Sequence, residues 1–115
     1  MGGKRVVEIF DIYIAYVSWG DDGKKRPVLV LERGISSVTT FAITTQHEEK
    51  SESIRSRFFK ILEWQKAGLN HESFIDTNNT VTLPHSSIAQ PIGKLSEFDI
   101  QRFLDFIVNI EAIEI

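Results

Sequence analysis

Pro27-Val28-Leu29-Val30-Leu31-Glu32 decides how the rest of the chain is read. Four apolar residues in a row, two of them β-branched, are too few for a buried helix and suit a strand covered on both faces. Proline gives the chain no backbone donor, so Pro27 is expected only at the strand's start. Working back, Trp19-Gly20-Asp21-Asp22-Gly23-Lys24-Lys25 reads as a polar turn with two glycines. Before it, Val6 to Trp19 is β-branched and aromatic, with alternation at Ile12, Ile14 and Tyr16, and reads as a strand. Working forward, Arg33-Gly34-Ile35 turns the chain and Ser37 to Thr45 reads as a third strand.

Beyond these, 46–53 is polar and reads as a loop, and Arg57 to Leu62 as a strand. Glu63 to Ala67 forms a helical turn stopped by Gly68, a residue suited to a left-handed cap. Thr80 to Leu83 and Ile88 to Ile92 are further short strands. The last segment is helical. Ser96 is placed to cap it, Asp99 follows three residues later as a variant capping box, and Ile100, Phe103, Leu104, Ile107 and Ile110 repeat at helical spacing. Short strands with one terminal helix imply a mainly β (α+β) chain, a compact antiparallel sheet or small barrel.

Composition narrows the function. The 115 residues suit one domain, 1–115, and are enough to bury one core without staples. There is no cysteine, which excludes a disulfide scaffold and a thiolate metal site. No apolar run approaches membrane-spanning length, and no signal-peptide pattern opens the sequence, so a cytoplasmic protein is expected. The net charge of −3 runs against a generic nucleic-acid binder, while leaving room for a local basic cleft. Neither a glycine-rich phosphate loop nor a zinc-protease or EF-hand motif is present. His47, His71 and His85 lie far apart in polar segments and read as surface residues, and Glu48, Glu49 and Glu52 as a solvated loop. No cofactor and no metal are expected.

Lys24-Lys25-Arg26 is the one compact basic cluster. Joined directly to Pro27 and an apolar strand, Arg26 is anchored where a guanidinium fork can meet a phosphate with two parallel charge-assisted bonds.

Three stretches carry a family resemblance. They are Asp11-Ile12-Tyr13-Ile14-Ala15, Lys25-Arg26-Pro27-Val28-Leu29-Val30-Leu31, and Ala42-Ile43-Thr44-Thr45-Gln46. Two later ones agree in order and distance: Ala67-Gly68-Leu69 and Ile92-Gly93-Lys94-Leu95-Ser96. Together they resemble the MazF/PemK-type toxins over about residues 9 to 108.

The resemblance implies an SH3-like small β-barrel with short helices and a C-terminal helix, usually a homodimer. It implies a cognate antitoxin whose disordered tail blocks the groove. It also implies metal-independent, sequence-specific cleavage of single-stranded RNA, usually mRNA. In that reaction the 2′-hydroxyl attacks the adjacent phosphate, leaving a 2′,3′-cyclic phosphate and a 5′-hydroxyl.

By position, Arg26 matches the family's catalytic arginine and Thr44 its catalytic Ser/Thr. Where some members carry an Arg and an Asp on a later strand, this chain has Asp76 and Asn78, so Asp76 is the candidate base or support. The family's usual Gly before the first Asp is replaced by Phe10. Lys24, Lys25, Thr45 and Gln46 are candidate RNA contacts. Trp19 is either a stacking platform for a base or a cover on the barrel end.

Two other readings stand beside this one. A non-catalytic member would only bind RNA or a protein. A CcdB-like gyrase poison would share the barrel, but that family acts through a C-terminal Trp-Gly-Ile tail, whereas this chain ends Ala112-Ile113-Glu114-Ile115.

Overall fold

Val28, Leu29 and Val30 are fully buried, and the strand that holds them separates two hydrophobic clusters. The computed structural model of the chain describes residues 6–19 and 22–114, apart from the side chains at 18, 19, 22 and 112–114. The elements run β1 (Asp11–Trp19), β2 (Asp22–Arg33), β3 (Ser37–Thr44), α1 (Glu52–Arg55), β4 (Phe58–Ile61), β5 (Ser73–Asp76), β6 (Val81–Pro84), a 3₁₀ turn (His85–Ser87), β7 (Ile88–Lys94) and α2 (Glu97–Glu114). The sheet order is β4-β5-β3-β2-β1-β7, with β6 also paired to β3. Its described pairings are all antiparallel. This is a small β-barrel-like fold closed by a C-terminal helix.

Alternation along β1 and β2 sorts their side chains between the two clusters. Ile12 and Leu29 face one, with Ile43, Phe59, Ile61, Ile75 and the helix residues Ile100 and Phe103. Tyr13, Ala15, Val28 and Val30 face the other, with Val38 and Leu83. Burial on both faces is why β2 reads as a continuous apolar run and not as an alternating one.

Several expectations change. Strand β1 begins at Asp11, not Val6. The five residues before Asp11 are irregular or turn, and Phe10 has φ 71°. A bulky residue rarely adopts that conformation. Here Phe10 is held on three sides. Its N–H donates to Val30 O, its carbonyl accepts from Leu95 N, and its ring meets Phe103 edge-on at 6.5 Å. The buried Asp11 carboxylate accepts from Glu8 N at 2.9 Å and closes the bend.

The expected seven-residue turn after β1 is mostly strand: β2 starts at Asp22, and Lys24, Lys25 and Arg26 pair with Val17, Tyr16 and Ala15. Pro27 is therefore interior to β2. It is tolerated there because the ladder to β3 starts only at Val28, so β2 has no partner beside Pro27 on that side. The loop expected over 46–53 ends in α1, whose N-cap Ser51 accepts from Ile54 N. Strand β5 has no signal in the local pattern, and only the alignment of Asp76 with a later strand of the family points to it.

The Gly68 cap is as expected, with φ +90°. Leu69 N donates to Trp64 O across the turn. Gly68 and Gly93 let the two backbones touch, and a Cβ on either would strike the other segment's main chain.

Ser96 caps α2, accepting from Asp99 N at 3.2 Å. Asp99 does not return the bond as a capping box would. Its fully buried carboxylate accepts from Leu62 N at 3.3 Å and Glu63 N at 2.7 Å and pairs with Arg102. The helix thus anchors the 62–68 turn.

The Ser96 hydroxyl donates to Glu63 at 2.6 Å. That bond, and next the bond to Lys66, hold the Glu63 carboxyl below its usual 4.5. A lowered folded-state value means the stabilisation is complete above about pH 4.5 and disappears as pH falls through the lowered value. Ser96→Ala removes both this bond and the cap. In urea titrations its deficit against wild type should narrow below pH 4.5, down to the pH-independent cap contribution of about 1 kcal/mol. A deficit constant with pH would show that the Ser96–Glu63 bond contributes nothing.

Candidate active site

Where β2 and β3 part company, they leave a cavity of about 190 Å³ lined by Arg26, Pro27, Ile43, Thr44, Thr45, Gln46 and Ser73. The cause is local. Strand β3 pairs with β2 up to Ala42 and then transfers to β5, with Ile43 opposite Ile75 and Thr44 opposite Phe74. Carrying the Val28↔Ala42 register onward sets Arg26 across from Thr44. The proline between Arg26 and Val28 marks the point where that ladder stops, and the gap becomes the pocket.

The Thr44 hydroxyl accepts from Gln46 N at 3.0 Å. That bond occupies a lone pair and fixes the oxygen, leaving the hydroxyl proton to donate elsewhere. Arg26 is half-buried, on a strand with rigid flanks. The pocket therefore presents a guanidinium and hydroxyls against an apolar base of Pro27 and Ile43. Such an arrangement favours an anion with several acceptor oxygens.

Arg26, Thr44, Thr45 and Gln46, all singled out from sequence, meet here. Lys24 and Lys25 are exposed and do not line the pocket. The pleat divides them, placing Lys24 on Arg26's face of β2 and Lys25 on the other. Trp19 ends β1, and its side chain lies outside the described residues.

Asp76 does not line the pocket either. It closes β5, and its Oδ1 accepts from Asn78 N at 2.9 Å and Asn78 Nδ2 at 2.8 Å. That is a turn-forming role for both residues. No carboxylate or imidazole lines the pocket among the described residues. Ser73 was missed from sequence. It is buried, donates to His71 O at 2.8 Å, and reaches the pocket because β5 takes over from β2 as β3's partner.

Among the described residues no helix is long and apolar enough to cross a membrane, and no cluster of His, Asp and Glu is arranged to hold a metal ion. Residues 8–108 match the model of a family described as PemK-like, MazF-like toxin of type II toxin–antitoxin system. Among solved structures, the Mycobacterium tuberculosis toxin MazF-mt6 superposes with a TM-score of 0.66 and 27% identity, over 86% of this chain and 93% of that one. No curated protein sequence matches the chain.

Proposed function

Because this chain belongs to the PemK-like, MazF-like toxins of type II toxin–antitoxin systems, we propose that it is a metal-independent endoribonuclease that cleaves single-stranded RNA at the Arg26–Thr44 pocket. The observation that carries this reading is the convergence of Arg26, Thr44, Thr45 and Gln46 on one cavity made by the parting of β2 and β3.

The 2′-hydroxyl oxygen attacks the adjacent phosphorus and gives its proton to solvent water, the bond from phosphorus to the 5′-oxygen breaks, and the departing oxygen takes a proton from solvent. The products are a 2′,3′-cyclic phosphate and a 5′-hydroxyl. Negative charge builds on the phosphorane oxygens. The Arg26 guanidinium supplies charge and paired donors there, and Thr44, held by Gln46 N, donates its hydroxyl proton. With no carboxylate or imidazole in the described lining, this lining works by fixed donors and not by proton transfer. Asp76 has no part in this scheme.

The family reading supplies the setting: a cytoplasmic toxin, a homodimer, and a cognate antitoxin that binds over the groove. The test is incubation of antitoxin-free protein with a long single-stranded RNA in EDTA, with the fragment ends mapped. Discrete fragments with 5′-hydroxyl ends are expected. Thr44→Val keeps the shape and removes one donor, so the rate should fall about 10²-fold, while Thr44→Ser keeps most of it. Intact RNA after prolonged incubation with folded wild-type protein would favour the binding-only reading.

A further inference from the structure

A second cavity, of about 640 Å³, opens beside the first and shares Thr45 and Gln46 with it. Three rings line it. His47 stacks on Phe74 with centroids 4.4 Å apart and planes 15° from parallel, and Phe58 lies 6.0 Å from His47. Glu48, Glu49 and Glu72 supply three carboxylates to the lining, against one ammonium, Lys60, which pairs with Glu72 at 3.6 Å. An acidic, ring-lined cavity is a poor place for a phosphate and a good one for a flat ring that donates hydrogen bonds.

We propose that this cavity holds one unpaired nucleobase flanking the cleaved phosphate, stacked at His47 and Phe74, and that its carboxylates select bases with amino hydrogens over uracil. The proposal rests on the RNA-cleavage reading for its substrate. The strand reaches the cavity by passing Thr45 and Gln46, which belong to both spaces. Stacking supplies affinity that tolerates any base, because every base has a π-face. The acceptor-only carboxylates supply the discrimination, as a carboxylate accepts from an exocyclic amino group and meets only acceptors on uracil's O4.

Binding is measured on single-stranded oligonucleotides made uncleavable by 2′-O-methylation, with a randomised pool and with wild type, His47→Ala, His47→Phe and Glu49→Gln. Wild type is expected to enrich an amino-bearing base at one fixed position. His47→Ala should lose about tenfold in affinity, and His47→Phe should retain it. Glu49→Gln should weaken the base preference more than the affinity. Equal affinity and equal preference in wild type and His47→Ala would overturn the proposal. Cleavage of ordinary RNA is assayed in parallel. Failure there overturns the nuclease reading alone, since the binding result stands independently.

Discussion

Arg26→Ala should reduce RNA cleavage by about 10³-fold while leaving the thermal unfolding midpoint close to that of wild type. A single well-aimed donor contributes roughly 10²–10³ in rate, and a guanidinium adds formal charge and a second parallel bond. Arg26 stands at the cavity beside Pro27, where β2 has already lost β3 as a partner. Removing its side chain therefore disturbs no described backbone ladder. Arg26→Lys should recover only part of the rate, because an ammonium is a point charge without the planar fork. The measurement is single-turnover cleavage of a labelled RNA, with circular dichroism on the same samples. Full activity in Arg26→Ala would mean that the reaction occurs elsewhere on the molecule.

The second large effect is on stability. Asp99→Ala should destabilise the fold by about 3–4 kcal/mol in urea titration, or roughly 10–15 °C in midpoint for a chain of this size. The carboxylate is fully buried and holds the main-chain donors of Leu62 and Glu63 together with Arg102. Its loss strands two N–H groups and leaves the Arg102 guanidinium with Lys60 O and solvent. Arg102→Ala should cost less. Arg102 is about one-third exposed, and truncating it removes its bonds to Asp99 and to Lys60 O and its contact over the Phe59 ring at 4.7 Å, while the Asp99 carboxylate keeps both main-chain donors. If Asp99→Ala unfolds at the wild-type midpoint, the 62–68 turn does not depend on α2.

The strands buried on both faces were readable because hydrophobicity is continuous there, and the Gly68 cap because glycine suits positive φ. Arg26 stood out as the end of a basic cluster joined to an apolar strand, whereas Thr44 was found through the family resemblance, and neither through periodicity. Their meeting depends on β3 leaving β2 after Ala42, which is a property of pairing between strands and invisible in either strand alone. Ser73 escaped for the same reason. Strand β5 has only four residues, and its partners are specified by the rest of the sheet. The capping-box reading of Asp99 failed because Ser-x-x-Asp is a local pattern, whereas the turn at 62–68 lies 36 residues away and competed successfully for that carboxylate. Asp76 lies outside the pocket lining and accepts a short-range bond from Asn78, two residues along, a pairing that the alignment of the two positions did not signal.

The seam between β1 and β7 joins Asp11 to Lys94, and the core behind it is completed by Ile100 and Phe103. Every residue of the Arg26 pocket is translated before either is available. A nascent chain that has delivered Arg26, Thr44 and Ser73 still lacks what holds β1 and the helix against them. Contacts between distant parts of the sequence form late, because loop closure must come first. The ribosome making this toxin-family protein thus releases the pocket residues long before they share a geometry. A chain ended upstream of Phe103 would carry every pocket residue without the helix side chains that complete the core behind them.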